Sequence, residues 1–351
     1  MLKNIKINSF RGLNNVKIND LKKVNLFVGK NNCGKTSVLE GIYLLTNPQS
    51  ILELMETRYY YKSKTINLEN FMLSLFKNMD MENNNISIIG EFLNNEKKLK
   101  KELNITSDLN LTEYQIDNNE NIKMKLNVNV VYNGEENNNI KNNISIIDIY
   151  DSGISIKSKK PIKKYVDLSS KYITPYINLK KLPEIITLLI VNKNMDNIIK
   201  ILQKIEPSIK NIIVGADRLI YCDIGKSKYM PINIMGDGFL KILYIMCIIS
   251  HTKNGYVFID EIENGFHYSA LKTLWKGIFE SSEKFNVQVF ATTHSWECIK
   301  AYNIVYKEIY DKNNNDDIKL YRVEYKKNSH NIVGYNSEDI DFATNNNWEI
   351  R

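Results

Sequence analysis

The stretch VNLFVGKNNCGKTSVLEGIYLL, from Val24 to Leu45, decides the fold of this chain. Val24, Leu26 and Val28 alternate with their neighbours, and this alternation predicts a β-strand. The segment TSVLEGIYLL that ends the stretch predicts a helix. Between the two, Gly29–Thr36 reads GKNNCGKT and matches the pattern GxxxxGK[ST], which joins a buried strand to a helix.

This loop has the residues that phosphate binding requires. Gly29 and Gly34 let the backbone wrap closely around phosphate oxygens, and the helix N-terminus adds a dipole that favours an anion. Lys35 is expected to contact the β- and γ-phosphates, and Thr36 to bind Mg²⁺. An ordinary glycine-rich turn is the alternative, but the flanking strand and helix favour phosphate binding. The predicted nucleotide contacts are Gly29, Lys30, Asn31, Asn32, Cys33, Gly34, Lys35, Thr36 and Ser37.

Two other predicted strands end in side chains that suit phosphoryl transfer. In YVFIDEIENGFH an apolar strand ends at Asp260 and Glu261. An aspartate there can hold the Mg²⁺ shell, and the next carboxylate can orient the attacking water. Adjacent acids at a strand end are also common helix caps, so it is the phosphate-binding loop that favours catalysis. In FATTHS, His294 follows a strand and is predicted to reach the γ-phosphate, although a lone histidine is usually structural.

Two features are ambiguous when they are taken alone. Gly236 and Gly238 flank an aspartate between two apolar runs, in INIMGDGFLKILYIM. Such a Gly-Asp-Gly sequence is most often a tight turn. His267 is expected either to pack against the loop after Glu261 or to contact a partner subunit.

The order of these motifs resembles that of ABC-class ATPase heads: a P-loop, a long insert, a glycine-rich turn before a helix, Asp-Glu, and a histidine at a strand end. In detail the chain resembles the AAA-type ATPases related to the OLD (overcoming lysogenization defect) proteins, and SMC and RecF heads are more distantly similar. The resemblance covers both ends of the chain closely and the middle loosely. It is carried by SFRGL, GKNNCGKTS, MGDGF, IDEIENGFHYS and FATTHS.

The resemblance implies an α/β fold: a P-loop NTPase with an ABC-type head, a mixed or parallel core sheet, an antiparallel β lobe and an inserted helical subdomain. It also implies that two copies pair head to tail, as a homodimer or a higher homo-oligomer. Gly236 and Gly238 would then cover the nucleotide of the other copy. Many ABC proteins have a serine at Gly236, and Asp237 would repel an anion unless it caps the helix or pairs with a basic residue.

Two further positions are assigned only loosely by the resemblance. Gln115 is the candidate glutamine of the Q-loop by its rough position in the chain. Arg11, in SFRGL, lies near the nucleotide or DNA side of related heads, or it is a surface arginine at a strand end.

The domain organisation follows from a change of pattern along the chain. Strands and helices alternate after Asn211, which is typical of a parallel sheet with helices on its faces. We therefore expect residues 1–46 and 210–351 to form the ATPase core, and residues 47–209 an inserted β-rich lobe with a helical segment. In the lobe, IKMKLNVNVVY predicts a strand with one buried face. KKLKKE is expected to be solvated surface, and NGEENNNIKNN a loop between strands.

Composition limits the partners and the location. Of the 351 residues, 43% are hydrophobic and 25% are charged, as in soluble globular proteins. The net charge of +7 leaves DNA as a partner to consider. A coding bias towards lysine and asparagine is the favoured explanation of the charge, because the sequence has no dense stripe of lysine and arginine. The four cysteines form no CxxC pair, and neither a signal peptide nor a membrane span is evident. A cytoplasmic protein is expected.

These observations predict an enzyme that uses ATP and Mg²⁺ and forms ADP and phosphate. Thr36 and Asp260 are the predicted metal ligands, and Glu261 and His294 the predicted catalytic residues. No clustered acids like those of a TOPRIM nuclease follow His294, so the resemblance implies a separate effector protein, often in bacterial antiphage defence. Two alternatives stay open: a DNA-repair ATPase like SMC or RecF, and a nucleotide-bound scaffold with negligible turnover.

Overall fold

A computed structural model gives the fold of the chain in two compact units. The first unit comprises Met1–Leu21, Lys30–Leu168 and Val323–Val333, and the second comprises Lys22–Gly29, Ser169–Arg322 and Gly334–Arg351. Gln115 lies outside the described residues. The structure describes residues 1–51, 53–54, 68–94, 97–107, 116–117, 120–121, 124–134, 137–149, 154–158, 169–310 and 317–351.

The elements are numbered along the described part of the chain. The strands are β1 (Leu2–Asn8), β2 (Val16–Ile18), β3 (Val24–Val28), β4 (Ile86–Asn94), β5 (Lys97–Ser107), β6 (Ile116–Asp117), β7 (Glu120–Asn121), β8 (Met124–Gly134), β9 (Asn137–Ile149), β10 (Ile154–Ser158), β11 (Ser170–Ile173), β12 (Asn211–Val214), β13 (Ile220–Asp223), β14 (Met230–Pro231), β15 (Tyr256–Ile259), β16 (Gln288–Thr293), β17 (Ile318–Lys326) and β18 (Ser329–Tyr335). The helices are α1 (Lys35–Thr46), α2 (Leu68–Leu73), α3 (Leu182–Val191), α4 (Met195–Leu202), α5 (Asp237–His251), α6 (Leu271–Lys284), α7 (Trp296–Tyr310) and α8 (Ser337–Asn345).

The first unit is built on a seven-stranded sheet in the order β10-β9-β8-β5-β4-β1-β2. All six neighbouring strand pairs of this sheet are antiparallel. In β8, Met124, Leu126, Val128 and Val130 are buried and alternate with less buried residues. This is the strand with one buried face that the sequence predicts.

One segment of this sheet agrees with the sequence-based expectation and one corrects it. KKLKKE, expected to be solvated surface, begins β5, where Lys97, Lys98 and Lys100 are exposed and Lys101 is buried. Most of NGEENNNIKNN, expected to be a loop, lies in β8 and β9, where Tyr132 pairs with Lys141. Both segments are polar strands between other strands, so backbone pairing decides their structure despite their low β-propensity.

Helix α1 packs within the first unit, and all of its residues from Val38 to Thr46 are buried. A Cβ at Gly41 would lie 3.0 Å from the Ile7 side chain, so this glycine lets the helix approach β1 closely. Arg11 is not a surface residue: its Nε lies 2.7 Å from Oε2 of the buried Glu40 on α1. The arginine also donates from Nη1 to the Ser74 hydroxyl, at 3.3 Å.

The second unit contains most of a six-stranded sheet in the order β11-β15-β16-β3-β17-β18. The five strands from β11 to β17 are parallel to their neighbours. Strands β3, β15 and β16 are buried along their whole lengths. Helices α3–α7 contribute to the same core, in which Trp275 stacks edge-on against Tyr302 at 4.7 Å between ring centroids. The predicted α/β fold, with a mixed core sheet and an antiparallel sheet, is confirmed.

The segment after Asn211 differs from the predicted alternation. Strands β12, β13 and β14 form a separate three-stranded antiparallel sheet, so they are not part of the parallel sheet. Short turns join them, and such turns can connect only antiparallel neighbours. The compact units also do not coincide with the expected boundaries, because β1 and β2 pair with the lobe strands while α3 and α4 pack in the second unit. Within the described residues, every helix is too short or too polar to span a bilayer.

Candidate functional site

The loop between β3 and α1 has the backbone that its sequence predicts. Gly34 precedes α1 with a φ of 97° and its carbonyl accepts from the Val38 N–H at 2.9 Å. Asn32 also has a positive φ, of 61°. The Lys35 ammonium donates to the carbonyl of Lys30 at 2.9 Å, so the lysine folds back across its own loop. The loop backbone is therefore curled around the position from which Lys35 can reach an anion.

Gly34 is enclosed by side chains of the first unit. A Cβ at this position would lie 3.0 Å from Nε2 of His330 and 3.3 Å from the Leu13 side chain. Because φ is also positive, any other residue here would be strained. Desolvation lowers the pKa of His330, whose ring lies 4.7 Å from that of Tyr325. His330 is a neighbour of the loop that the sequence analysis missed, since it comes from a strand almost 300 residues later.

In the second unit, three parallel strands end at one edge of the sheet. The register pairs Val28 with Thr293, and Ala291 with Ile259. The residues that follow β3 and β15 at this edge are Gly29, where the P-loop begins, and Asp260. The carboxyl ends of parallel strands are the usual position of ligand sites in α/β proteins. Asp260 and the first P-loop residue thus lie at the predicted edge.

The Thr292 hydroxyl connects the two acids that follow β15. It donates to Oδ1 of Asp260 at 2.6 Å and accepts from the backbone N–H of Glu261 at 2.8 Å. Asp260 is buried, whereas Glu261 is exposed and has a φ of 46°. The two carboxylates therefore have different environments: one is fixed and largely desolvated, and the other faces solvent from a constrained backbone. The signal for Thr292 in the sequence was a threonine within the apolar strand of FATTHS.

His294 is held by residues distant in the sequence. Oε1 of Glu263 accepts from the His294 backbone N–H at 2.8 Å and lies 2.9 Å from its Nδ1. The carbonyl of His294 accepts from Arg351 at 3.0 Å. The imidazole itself is about half exposed. The sequence analysis did not identify Glu263 as the partner of His294.

A buried lysine connects α5 with the loop after β15. The Lys241 ammonium donates to the carbonyl of Asn264 and lies 5.2 Å above the ring of Phe266. Burial lowers the pKa of Lys241 to about 8, against the opposing effect of Glu263 and Glu261. The lysine is therefore a desolvated cation, or a neutral amine, beside the acidic loop.

The Gly236–Gly238 segment contains the start of α5, whose first residue is Asp237. Gly236, with a φ of 85° and a ψ of 154°, is the N-cap, and it makes no side-chain cap bond. Asp237 is the first helical residue and is exposed, so it does not cap the helix from the N-cap position. A Cβ at Gly238 would lie 3.8 Å from the carbonyl of Gly265. The segment is more than a turn, because it presents the N-terminus of a helix to solvent.

The other candidate residues have local surroundings. Cys33 is buried, as expected of a residue that fills space. Nδ1 of His267 lies 2.9 Å from the Ser269 hydroxyl, at the start of the short helical turn before α6. Ser37 lies within the first turn of α1, one residue beyond Thr36.

The sequence matches a described family across most of its length. Residues 24–297 match the family described as "AAA domain, putative AbiEii toxin, Type IV TA system". This range includes the P-loop, the acids after β15 and His294. The chain belongs to this AAA-domain family. It is therefore a P-loop ATPase of the AAA type.

Three proteins similar to this AAA domain match different shares of the chain. A Helicobacter pylori protein named "ATP/GTP phosphatase" is 25% identical over 88% of this chain and 89% of its own length. An uncharacterized protein of Methanocaldococcus jannaschii is 45% identical over 18% of this chain and 57% of its own length. A crystal structure of an SMC head, bound to the C-winged helix domain of ScpA, is 12% identical with a TM-score of 0.52, over 95% of this chain and 97% of that one. The last comparison shows a shared fold.

The residues of this AAA domain suit a magnesium nucleotide. Mg²⁺ prefers oxygen ligands and is usually held by one or two protein groups together with substrate phosphates and water. Asp260 offers a carboxylate whose Oδ1 is already oriented by Thr292, and Thr36 offers a hydroxyl in the first turn of α1. In the described residues, no group of three or more His, Cys, Asp or Glu side chains is arranged to hold a metal. Each of these two groups is an oxygen donor of the kind that Mg²⁺ prefers.

Proposed function

We propose that this chain binds Mg-ATP through its P-loop and hydrolyses it to ADP and phosphate within a head-to-tail pair of copies. The observation that supports the proposal most is the set of residues that follow the parallel strands at one edge of the sheet. Asp260 and Glu261 follow β15 there, and the P-loop begins two strands away, after β3. A phosphate-binding loop and an acidic pair at the ends of nearby parallel strands suit phosphoryl transfer.

Lys35 and the P-loop backbone bind the triphosphate in this mechanism. The Lys35 ammonium exchanges the Lys30 carbonyl for the β- and γ-phosphate oxygens, which are stronger acceptors because they are charged. Thr36 and Asp260 are the groups that would hold Mg²⁺, which supplies positive charge to the phosphate oxygens. The N-terminus of α1 adds a favourable dipole.

Glu261 and His294 act on the reacting atoms. The exposed carboxylate of Glu261 accepts a hydrogen bond from a water molecule and orients it in line with the γ-phosphorus. The water oxygen bonds to phosphorus, its proton passes to Glu261, and the bridging oxygen leaves with ADP. His294 donates from Nε2 to a γ-phosphate oxygen and stabilises the charge there.

The nucleotide base is a separate part of the proposal. The name of the H. pylori relative, "ATP/GTP phosphatase", supports testing GTP beside ATP. We expect ATP to be the better substrate, as the AAA family suggests.

The decisive experiment is steady-state phosphate release with ATP and with GTP. The wild type should release phosphate, and Lys35→Ala and Glu261→Gln should reduce release by about a hundredfold or more. Lys17→Ala, an exposed lysine of β2, and Glu280→Gln, an exposed acid of α6, are matched controls that should retain the wild-type rate. If wild type, Lys35→Ala and Glu261→Gln all release phosphate at the background rate, the chain is a nucleotide-bound scaffold.

The proposed head-to-tail pairing of two copies depends on the N-terminus of α5. The exposed N-terminus of α5, from Gly236 to Gly238, presents backbone N–H groups that suit a γ-phosphate held by another copy. The lack of a serine hydroxyl at Gly236 leaves the contact to the backbone alone. Asp237 lies beside this contact and is expected to weaken it.

A role in bacterial antiphage defence, with a separate effector, is the proposed biological setting. The family description names a toxin of a type IV toxin–antitoxin system, and such a system has a second component. Phage challenge of cells that carry the native locus, with wild type or Lys35→Ala, tests this role. Equal protection by the two versions would contradict an ATP-driven switch.

A further inference from the structure

A single carboxylate oxygen holds His294 at two points. Oε1 of Glu263 accepts the His294 backbone N–H at 2.8 Å and lies 2.9 Å from the ring nitrogen Nδ1. The side chain of Glu263 is 11% exposed, whereas that of His294 is 54% exposed. The buried partner is therefore fixed, and the exposed ring is fixed by it.

The chemistry of a carboxylate decides which ring nitrogen carries a proton. An ionised carboxylate only accepts hydrogen bonds, so Nδ1 of His294 must be the donor in this pair. Oε2 of Glu263 is buried and has no hydrogen-bond partner within the described residues. The carboxylate thus has few competing partners, and its bond to the ring is strong in a poorly solvated site.

The peptide of His294 is fixed on its other side as well. Nη1 of Arg351 donates to the His294 carbonyl at 3.0 Å. The same guanidinium binds Glu349, with Nε 2.6 Å from Oε1, and this pair orients the arginine. Both polar groups of the His294 backbone and one ring nitrogen are therefore occupied, and Nε2 is the nitrogen left to face a ligand.

We infer that Glu263 is a positioning residue that holds the Nδ1–H of His294 and directs Nε2 towards the γ-phosphate. Nε2 donates to that phosphate in the imidazolium form, in which both ring nitrogens carry a proton. The inference rests on the proposed function, in which His294 contacts that phosphate. Glu263 touches neither nucleotide nor water in this scheme and acts only through the histidine. Orientation of a functional imidazole by an acceptor on its second nitrogen is a general device in proteins.

The first test measures the ring directly and does not depend on turnover. The chain has four histidines, so selective ¹⁵N-histidine labelling of the full chain gives few NMR signals. The nitrogen shifts should report a protonated Nδ1 for His294 in the wild type and a lower occupancy of that proton in Glu263→Gln. Glu263→Asp keeps an acceptor-only group and should retain the wild-type signals. Identical His294 signals in the wild type and Glu263→Gln would overturn the inference.

Glu297→Gln is the matched control for this test. Glu297 lies three residues after His294 and accepts from the Ser295 hydroxyl at 2.9 Å. Its substitution removes an acid from the same segment, and it should leave the His294 signals unchanged. A change as large as that of Glu263→Gln would mean that the ring responds to local charge and not to the Glu263 bond.

The second test is a double-mutant cycle on phosphate release. Glu263→Gln should lower kcat by roughly tenfold to a hundredfold with little change in KM, as outer partners of functional histidines commonly do. In a His294→Ala background the same change should have no further effect, because Glu263 acts through the ring. An equal loss in both backgrounds would contradict the inference. A wild type without turnover would contradict the proposed function instead, and the NMR result would still decide the role of Glu263.

Discussion

At the residue scale, the surroundings of the two acids after β15 divide their chemistry. The buried Asp260 accepts from Thr292, and the exposed Glu261 has a constrained backbone with a φ of 46°. One hydroxyl serves both acids, since it donates to the first and accepts from the N–H of the second. This difference in burial suits the two proposed roles: a metal ligand should be held in place, and the group that accepts a proton from water should face solvent.

Thr292→Val removes this hydroxyl and keeps the branched shape of the side chain, so it tests the hydroxyl alone. The variant leaves Oδ1 of Asp260 and the Glu261 N–H without the Thr292 bond, so we expect a loss of about 1–3 kcal/mol in the free energy of unfolding. It should also lower ATP hydrolysis, because the Glu261 backbone loses its anchor. Urea unfolding and phosphate release measure the two effects. Thr292→Ser keeps the hydroxyl and should stay close to the wild-type rate; a rate as low as that of Thr292→Val would contradict the explanation.

The lowered pKa of Lys241 predicts that the free energy of unfolding changes with pH in the alkaline range. Its pKa is about 8 in the folded chain against an ordinary value of 10.5, so between these values the unfolded chain binds more protons. The free energy of unfolding should therefore rise as pH increases through this window, by at most about 1.4 kcal/mol per pH unit from this group. The burial cost of the charged lysine is fully present below pH 8.

The measurement compares urea unfolding of the wild type and Lys241→Met at pH 7 to 10. The stability difference, wild type minus variant, should increase with pH across the window. The charges of Glu263 and Glu261 act in the opposite direction on the pKa of Lys241 but are outweighed by its burial. A difference that is constant with pH would mean that the lysine keeps its ordinary pKa when buried.

At the element scale, α1 is fixed to the turn after β1 by one buried ion pair. Arg11 and Glu40 are 9% and 1% exposed, and their Nε and Oε2 atoms are 2.7 Å apart. Arg11 also reaches Ser74, in the segment that follows α2. The pair therefore connects the P-loop helix with two other parts of the first unit, and a nucleotide or DNA contact by Arg11 has no support from this geometry.

Breaking this pair on one side should destabilise the chain more than removing both charges. Glu40→Gln leaves Arg11 charged and buried, and we expect a loss of about 3–5 kcal/mol. The double variant Arg11→Met, Glu40→Met leaves no buried charge and should lose less than Glu40→Gln alone. Thermal and urea unfolding give the comparison. A double variant that loses as much stability as Glu40→Gln, or more, would contradict this explanation.

At the scale of the whole molecule, the proposed pairing assigns each site to two copies. The P-loop comes from one copy and the Gly236–Gly238 segment from the other. A variant defective in Lys35 and a variant defective in Gly238 would then each be inactive alone. In a mixed pair, one of the two sites combines an intact P-loop with an intact segment.

Mixing Lys35→Ala with Gly238→Asp should therefore restore ATP hydrolysis. Random pairing at equal amounts predicts about a quarter of the wild-type rate, because half of the pairs are mixed and each has one intact site. Phosphate release after mixing measures this recovery. Two Lys35→Ala preparations mixed together are the control and should stay inactive; a mixture of the two variants that stays equally inactive would contradict head-to-tail sites.

Much of the candidate site was predictable because its motifs are local. Gly29–Thr36 is contiguous, and the apolar runs before Asp260 and His294 identify the strands that end there. The misassigned segment lacks the pattern of a strand. The asparagine-rich stretch has few apolar residues, yet most of it lies in β8 and β9 because neighbouring strands pair with its backbone.

The sequence by itself determined the P-loop, the acids after β15, the histidine after β16 and the α/β class, since each depends on residues close together in the chain. Only the tertiary structure decided which side chains support them. Thr292 binds Asp260 across two strands, Glu263 holds His294, and His330 meets Gly34. These contacts join residues 30 to almost 300 positions apart, and no spacing rule relates such residues until the strands have paired.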